Sequence, residues 1–216
     1  MRKFFVFTII ALAIAPVLSA QTQAVVKEIS GKVEVKTGSA DWQPAKAGMK
    51  FDTGASISTG FNSTAVLDLG TSILTVRPLT RLQLAELIKR EASVSTTLVL
   101  RVGKVKAEVK KVEGVRQDFT LRSAQATASV RGTLFEFDGV SVQVTDGLVV
   151  FTNSLGQGVG VSGGEKSSTN GAGSSAPTTG EQEMEDAAVV DSNPAPVDTG
   201  TPPEPEKPAT VVITWR

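Results

Sequence analysis

Hydrophobic and polar residues alternate with a period of two in short runs between about residues 25 and 162. Val105, Ala107 and Val109 alternate with charged residues, and Leu134–Phe137 leads into the turn pair Asp138-Gly139. The 82–90 stretch is also interpreted as a strand, since Thr and Val resume after it. Such runs, rich in β-branched residues and separated by turn residues, are typical of strands. The pattern predicts an all-β domain of short stacked strands, either β-solenoid-like or a sandwich.

A glycine followed by a strand-like run occurs three times. Gly31 precedes Lys32–Lys36, Gly103 precedes Lys104-Val105-Lys106, and Gly147 precedes a run that ends at Val150. Repeated turn–strand units favour a coil of stacked strands, although a generic β pattern would produce the same echo.

The N-terminus has the three parts of a secretory signal peptide. Met1–Lys3 is positive, Phe4–Leu18 is apolar, and small residues follow up to a predicted cleavage site after Ala20. A membrane-spanning helix needs about 20 apolar residues, more than this run supplies. We therefore expect residues 1–20 to be removed, with no integral membrane segment afterwards. The expected location is the bacterial periplasm, with secretion or attachment to the cell surface as alternatives.

Composition divides the remaining chain into three parts. Residues 21–164 form the predicted β domain; between residues 25 and 162 it has 17 Lys/Arg against 13 Asp/Glu, a net charge of +4. Residues 165–209 are rich in Gly, Ser, Pro and acidic residues, and are predicted to be a disordered tail. Residues 210–216 are strand-like again, either a strand that pairs with a sheet edge or a docking peptide for a partner.

The chain contains no Cys, His or Tyr. Disulfides are therefore excluded, and the commonest general base, the thiol nucleophile and the main zinc ligands are missing. We expect no enzyme activity, catalytic residue, metal site or cofactor. Nucleic-acid binding is also unexpected, because the domain is only mildly basic and has few aromatic residues to stack on bases.

Several glycine-centred motifs follow one another in a fixed order. The most specific is Val130-Arg131-Gly132-Thr133-Leu134-Phe135; others surround Gly60 and Gly103. This order resembles the FecR domain family over most of residues 25–165. The resemblance implies an all-β periplasmic domain without catalytic activity, in which Gly60, Gly103, Gly132, Thr133 and Phe135 are structural. Family members that regulate a sigma factor have a cytoplasmic segment and a retained membrane helix, which this N-terminus does not resemble, so that role is not expected here.

Five residues are candidates for binding. Arg131 could contact a carboxylate ligand or clamp two strands through its planar guanidinium group. A predicted strand carries Lys104, Lys106 and Lys110, which could face an anionic glycan or form a solvated surface. Trp42 could stack on a sugar, although we expect core packing.

These candidates support two functional hypotheses. The first is a non-enzymatic envelope interaction module that binds a protein partner. The alternative is a glycan- or peptidoglycan-binding module that uses Trp42 and the lysine strand.

Overall fold

The computed structural model describes residues 23–169 and the backbone of residues 178–179; within these residues all regular elements are strands. The strands form two nine-stranded sheets. Sheet A has, from edge to edge, β18 (Thr178–Thr179), β17 (Glu165–Ser168), β14 (Ser141–Asp146), β13 (Leu134–Phe137), β10 (Val105–Val109), β7 (Ser72–Val76), β6 (Thr64–Asp68), β1 (Ala24–Ser30) and β4 (Lys50–Phe51). Sheet B has β16 (Gly158–Ser162), β15 (Leu148–Asn153), β12 (Ala126–Val130), β11 (Arg116–Arg122), β9 (Ser93–Val102), β8 (Arg81–Arg90), β5 (Ser56–Thr59), β2 (Val33–Lys36) and β3 (Gln43–Pro44).

The two sheets pack face to face around one hydrophobic core. Alternate residues of most strands point inward, so the period-two sequence pattern becomes one buried face per sheet. Phe119 of sheet B packs edge-to-face on Phe135 of sheet A, with ring centroids 6.2 Å apart. Phe137 and Phe151 make a second such pair at 6.4 Å. The predicted all-β fold is confirmed, and its architecture is an open two-sheet sandwich.

The chain passes repeatedly from one sheet to the other, and the repeated glycines lie at these crossings. Gly31 joins β1 to β2, Gly103 joins β9 to β10, and Gly147 joins β14 to β15; their φ angles are 75°, 96° and 91°. Positive φ is the conformation that glycine adopts without steric cost. The repeated glycine–strand pattern therefore corresponds to corners where the chain leaves one sheet and enters the other. Neighbouring strands pair antiparallel except β9 and β11, which are parallel.

Sheet A extends beyond residue 164, where the sequence predicted that the domain ends. Strand β17 pairs with β14, and its Ser167 side chain is buried. The amide of Thr169 donates to the Val140 carbonyl at 2.8 Å. The prediction missed this strand because its buried residue is a serine and none of its four residues is β-branched or apolar.

Three predicted segments lie outside the described residues: the signal peptide, residues 210–216, and the acidic tail after residue 169 except for the β18 backbone. Among the residues that the structure describes, no helix has the length and apolar character needed to cross a membrane.

Candidate ligand-binding pocket

Arg131 lies where the chain leaves β12 and crosses to β13. Its side chain is exposed, and its guanidinium group forms no hydrogen bond or ion pair with any described residue. The clamp role considered from the sequence therefore has no bonding partner within residues 23–169. The guanidinium group is available to a ligand.

The residues after Arg131 build the corner. Gly132 has a φ of 62°, and the Lys111 side chain lies directly over its Cα, where any Cβ would collide with it. Thr133 is buried, and its hydroxyl donates to the Leu148 carbonyl at 3.1 Å. The Phe135 side chain is completely buried in the core. The motif thus fixes Arg131 beside the β10–β11 loop, which carries Lys111.

Arg131 lines a pocket of about 520 Å³ at this end of the sandwich. The β10–β11 loop supplies most of the wall, and its backbone is fixed to the β8–β9 turn by the Arg116 amide, which donates to the Ala92 carbonyl at 2.8 Å. The lining surface is mainly apolar, although four of its seven residues carry a charge. Its residues are Lys111, Val112, Glu113, Val115, Arg116, Gln117 and Arg131.

Gln117 places a buried polar side chain in the wall of this pocket. The residue is only 4% exposed, because its position in β11 points inward between the sheets. Neither its amide nitrogen nor its amide oxygen has a hydrogen-bond partner in the described chain. Leaving a buried polar group unpaired costs about 1–3 kcal/mol. Both atoms are almost completely buried, so a ligand that supplies an acceptor and a donor would remove this cost only where the pocket wall shifts to admit it.

Positive charge exceeds negative charge around the pocket. Lys111, Arg116 and Arg131 face one carboxylate among the lining residues, that of Glu113. Arg116 also pairs with Asp118 at 3.0 Å, but both side chains are largely exposed, so this pair is weak. The arrangement suits a ligand that combines negative charge with an apolar group.

The three candidate lysines lie on β10 or at its ends, but they do not form a uniform cationic face. Lys106 is opposite Glu136 of the neighbouring strand β13, and Glu136 pairs with Arg77 at 2.6 Å. Lys110 lies at the opposite end of β10 from Lys104, beside a groove of about 370 Å³ that adjoins the pocket and shares Lys111 with it.

Lys104 acts on the carboxylate of Asp138. Burial raises the pKa of Asp138, but hydrogen bonds from the Ser141 hydroxyl and from the amides of Val140 and Ser141, together with the Lys104 charge, outweigh it. The net effect is a pKa below the usual value. Lys104 is therefore partly balanced by a neighbouring anion.

Trp42 lies outside the core, in the part of sheet B remote from Arg131. It precedes β3 at one edge of sheet B, is half-buried, and packs under Arg81, whose guanidinium carbon is 5.4 Å from the ring centroid. The expectation of core packing is thus wrong, because the indole is held by a surface cation–π contact instead. Four strands separate β3 from β11 in sheet B, a distance of about 24 Å at the usual strand spacing. The structure thus keeps Trp42 apart from Arg131, and its one described aromatic or cation–π contact is with Arg81 rather than with Lys104, Lys106 or Lys110.

Sequence reasoning did not identify Gln117, Val112, Val115 and Arg116 as site residues. The sequence did contain a signal for Gln117. Gln117, Phe119 and Leu121 are the inward residues of β11, and Gln117 is the polar one among them. A polar residue in an inward series requires a partner, either inside the protein or in a ligand.

An all-β sandwich with a cationic and apolar pocket at one end is thus the class of domain that the fold and pocket define. No family model matches the sequence, and no curated protein matches it. Two crystal structures of a candidate anti-sigma factor from Parabacteroides distasonis ATCC 8503 share 16% sequence identity with this chain. One, at 2.50 Å resolution, has a TM-score of 0.48 and covers 57% of this chain and 59% of its own. The other, at 1.65 Å, has a TM-score of 0.47 and covers 62% and 64%. Both matches span less than two thirds of the solved chains.

Proposed function

We propose that this protein is a non-enzymatic interaction module of the bacterial envelope that binds a protein partner through the Arg131 pocket. The observation that carries the proposal is the buried amide of Gln117, which has no partner among the described residues, in the wall of a pocket also lined by Lys111, Arg116 and Arg131. A primary amide offers one acceptor and two donors, which match the N–H and the carbonyl of a peptide unit.

The ligand chemistry follows from the lining. The three cations favour Asp or Glu side chains, and Arg131 can bind a carboxylate through two parallel N–H groups. Val112 and Val115 offer a surface to a neighbouring apolar side chain. The proposed ligand is therefore an acidic peptide segment with interspersed apolar residues.

The resemblance to FecR domains supports a role in binding rather than catalysis. Its most specific motif is the one that positions Arg131, so the resemblance and the pocket coincide on one corner of the fold. The export signal read from residues 1–20 supports an envelope location, which is part of the proposal.

The glycan-binding alternative has less support. It relied on Trp42 and the lysine strand acting together, but the described contact of the indole is with Arg81, and no described contact joins it to Lys104, Lys106 or Lys110. One face of the indole is also covered by Arg81.

Site-specific photo-crosslinking tests the proposal. A photoreactive amino acid replaces Val112 in the pocket or, as a control, Val150, an exposed residue on the outer face of sheet B. We expect irradiated cells to give a discrete crosslinked protein from position 112, absent from position 150 and lost on addition of Arg131→Gln. Identical crosslinks from both positions, or crosslinks unaffected by Arg131→Gln, would count against the pocket as the binding site.

A further inference from the structure

Three large apolar side chains are exposed at the end of the sandwich opposite the Arg131 pocket. Phe61 is 81% exposed, Val102 59% and Leu79 50%. Phe61 and Leu79 lie in the β5–β6 and β7–β8 corners where the chain crosses between sheets, and Val102 is the last residue of β9, at the β9–β10 corner. We call these three residues the apolar corner patch.

Hydrogen bonds hold the three corners beside one another. The Leu79 amide donates to the Gly60 carbonyl at 3.2 Å, which places the Phe61 corner next to the Leu79 corner. The Thr80 hydroxyl donates to the Lys104 carbonyl at 3.1 Å and accepts from the Lys104 amide at 3.0 Å. The patch is therefore a fixed feature of the fold.

Two residues of these corners adopt a backbone conformation that is unfavourable for their type. Leu79 has a φ of 55° and Asn62 a φ of 48°. Asparagine tolerates this region, but a leucine there is uncommon. Leu79 therefore accepts backbone strain while exposing its apolar side chain, a combination that stability alone does not favour.

The same end carries two further exposed apolar residues. Strand β11 runs parallel to β9 with Arg122 opposite Val99, so the β11–β12 turn lies at the Val102 end. The Ser123 hydroxyl of that turn donates to the Gly139 carbonyl at 2.5 Å, which brings Val140 to this end. Asn153 pairs opposite Ala126, so the β15–β16 turn with Leu155 follows. Val140 is 38% exposed and Leu155 65%.

Basic residues surround the apolar corner patch. Lys32, Arg77, Arg81, Arg101 and Lys104 lie in these corners or directly beside them. Glu34 pairs with Lys32 at 3.3 Å, Glu136 pairs with Arg77, and Asp138 lies near Lys104. Five cations against these three carboxylates leave an excess of positive charge.

We propose that this end of the sandwich docks on the surface of an anionic phospholipid bilayer. Phe61, Leu79 and Val102 insert into the boundary between headgroups and acyl chains, and the basic residues contact the lipid phosphates. Exposed apolar side chains next to Lys and Arg are the combination that holds peripheral proteins at such a boundary.

A bilayer suits this surface better than a protein partner. Phe61 and Leu79 protrude from corners, and a deformable bilayer accepts such protrusions without a complementary shape. A protein interface would need a matching cavity for each side chain. The proposal is independent of the Arg131 pocket, which lies at the other end.

Vesicle flotation with the full chain tests the proposal. The probes are vesicles of phosphatidylglycerol and phosphatidylethanolamine, compared with vesicles of phosphatidylcholine. We expect binding to the anionic vesicles and at least tenfold weaker binding to the neutral ones. Phe61→Ser with Leu79→Asn should weaken binding to anionic vesicles more than tenfold, whereas Leu148→Ser should leave it unchanged. Leu148 is a matched control because its exposure, 53%, is close to that of Leu79.

Leu79→Asn alone provides a second variant that keeps the fold, since asparagine adopts positive φ more readily than leucine. Thermal unfolding checks that each variant is folded. The proposal is overturned if the wild-type chain floats with neither kind of vesicle. It is also overturned if the folded patch variants bind anionic vesicles as tightly as Leu148→Ser does.

Discussion

Asp138 illustrates how one turn residue stabilises the end of a hairpin. Its carboxylate accepts hydrogen bonds from the Val140 amide at 3.1 Å, the Ser141 amide at 2.7 Å and the Ser141 hydroxyl at 2.7 Å. The side chain thereby closes the β13–β14 turn, as Asp commonly does beside a glycine.

Asp138→Ala should lower the free energy of unfolding by about 1–2 kcal/mol at neutral pH, because three hydrogen bonds to one carboxylate are lost. The folded pKa of Asp138 is lowered, so its contribution is complete above the unfolded pKa of about 3.9 and is lost as the pH falls through the folded value. Urea unfolding at pH 7 and near pH 3 should show the difference between wild type and variant shrinking in acid. A difference that is constant with pH would contradict this role, and the exposed Asp118→Ala provides the control.

For Leu79 we predict that a substitution stabilises the fold, whereas Asp138→Ala destabilises it. Leu79→Asn should raise the free energy of unfolding by up to about 1 kcal/mol, because asparagine adopts positive φ at lower cost. Chemical denaturation measures the change. A clear loss of stability would show that the Leu79 side chain contributes to packing despite its exposure.

Turns of this fold depend on glycine for two separable reasons, as Gly103 at a corner between sheets and Gly70 in the β6–β7 hairpin turn of sheet A show. Gly103 and Gly70 both have positive φ, 96° and 87°. A Cβ at Gly103 would collide with the Thr80 backbone and side chain, whereas a Cβ at Gly70 meets no atom within 4 Å. Comparing the two separates backbone strain from crowding.

Gly70→Ala should therefore cost about 1–2 kcal/mol, the price of a left-handed alanine. Gly103→Ala should cost more, about 3 kcal/mol or above, because a tightly bonded corner must also shift. If thermal or urea unfolding shows that both variants lose the same free energy of unfolding, the close approach of Thr80 does not affect stability.

Thr133 connects two corners through one buried hydroxyl. Thr133→Val keeps the shape of the side chain but removes the hydrogen bond to the Leu148 carbonyl, so the free energy of unfolding should fall by about 1–2 kcal/mol. Thr127→Val, on the solvent side of β12, should change it by less than about 0.5 kcal/mol. If both substitutions have the same effect, the corner bond contributes nothing.

The period-two pattern was sufficient to predict most strands, because inward and outward residues differ in polarity along β2, β7, β10 and β13. It failed at β17, where the buried residue is a serine. Arg131 could be singled out from its motif, but its neighbours could not. Gln117 lines the same pocket as Arg131 because β11 and β12 pair in sheet B. Val112 lines it because the β10–β11 loop passes this point.

At the scale of the whole molecule, the sandwich has two chemically different ends. One end carries the Arg131 pocket, whose Gln117 amide has no partner in the part of the chain that the structure describes, and the other carries the apolar corner patch and its neighbouring basic residues. A protein with this arrangement could hold a membrane with one end and a protein partner with the other. The two proposals use different residues, so each can fail without the other.

The most direct test of the pocket is an NMR titration of the ¹⁵N-labelled protein with a short peptide of alternating Val and Glu. We expect the Gln117 side-chain amide and the Arg131 Nε–H signals to shift, and a matched Val and Gln peptide to bind at least tenfold more weakly. Arg131→Gln should abolish the shift at Gln117, whereas Arg122→Gln should preserve it. Unchanged Gln117 signals at saturating acidic peptide, or equal binding of the neutral peptide, would contradict the proposed acidic-peptide site.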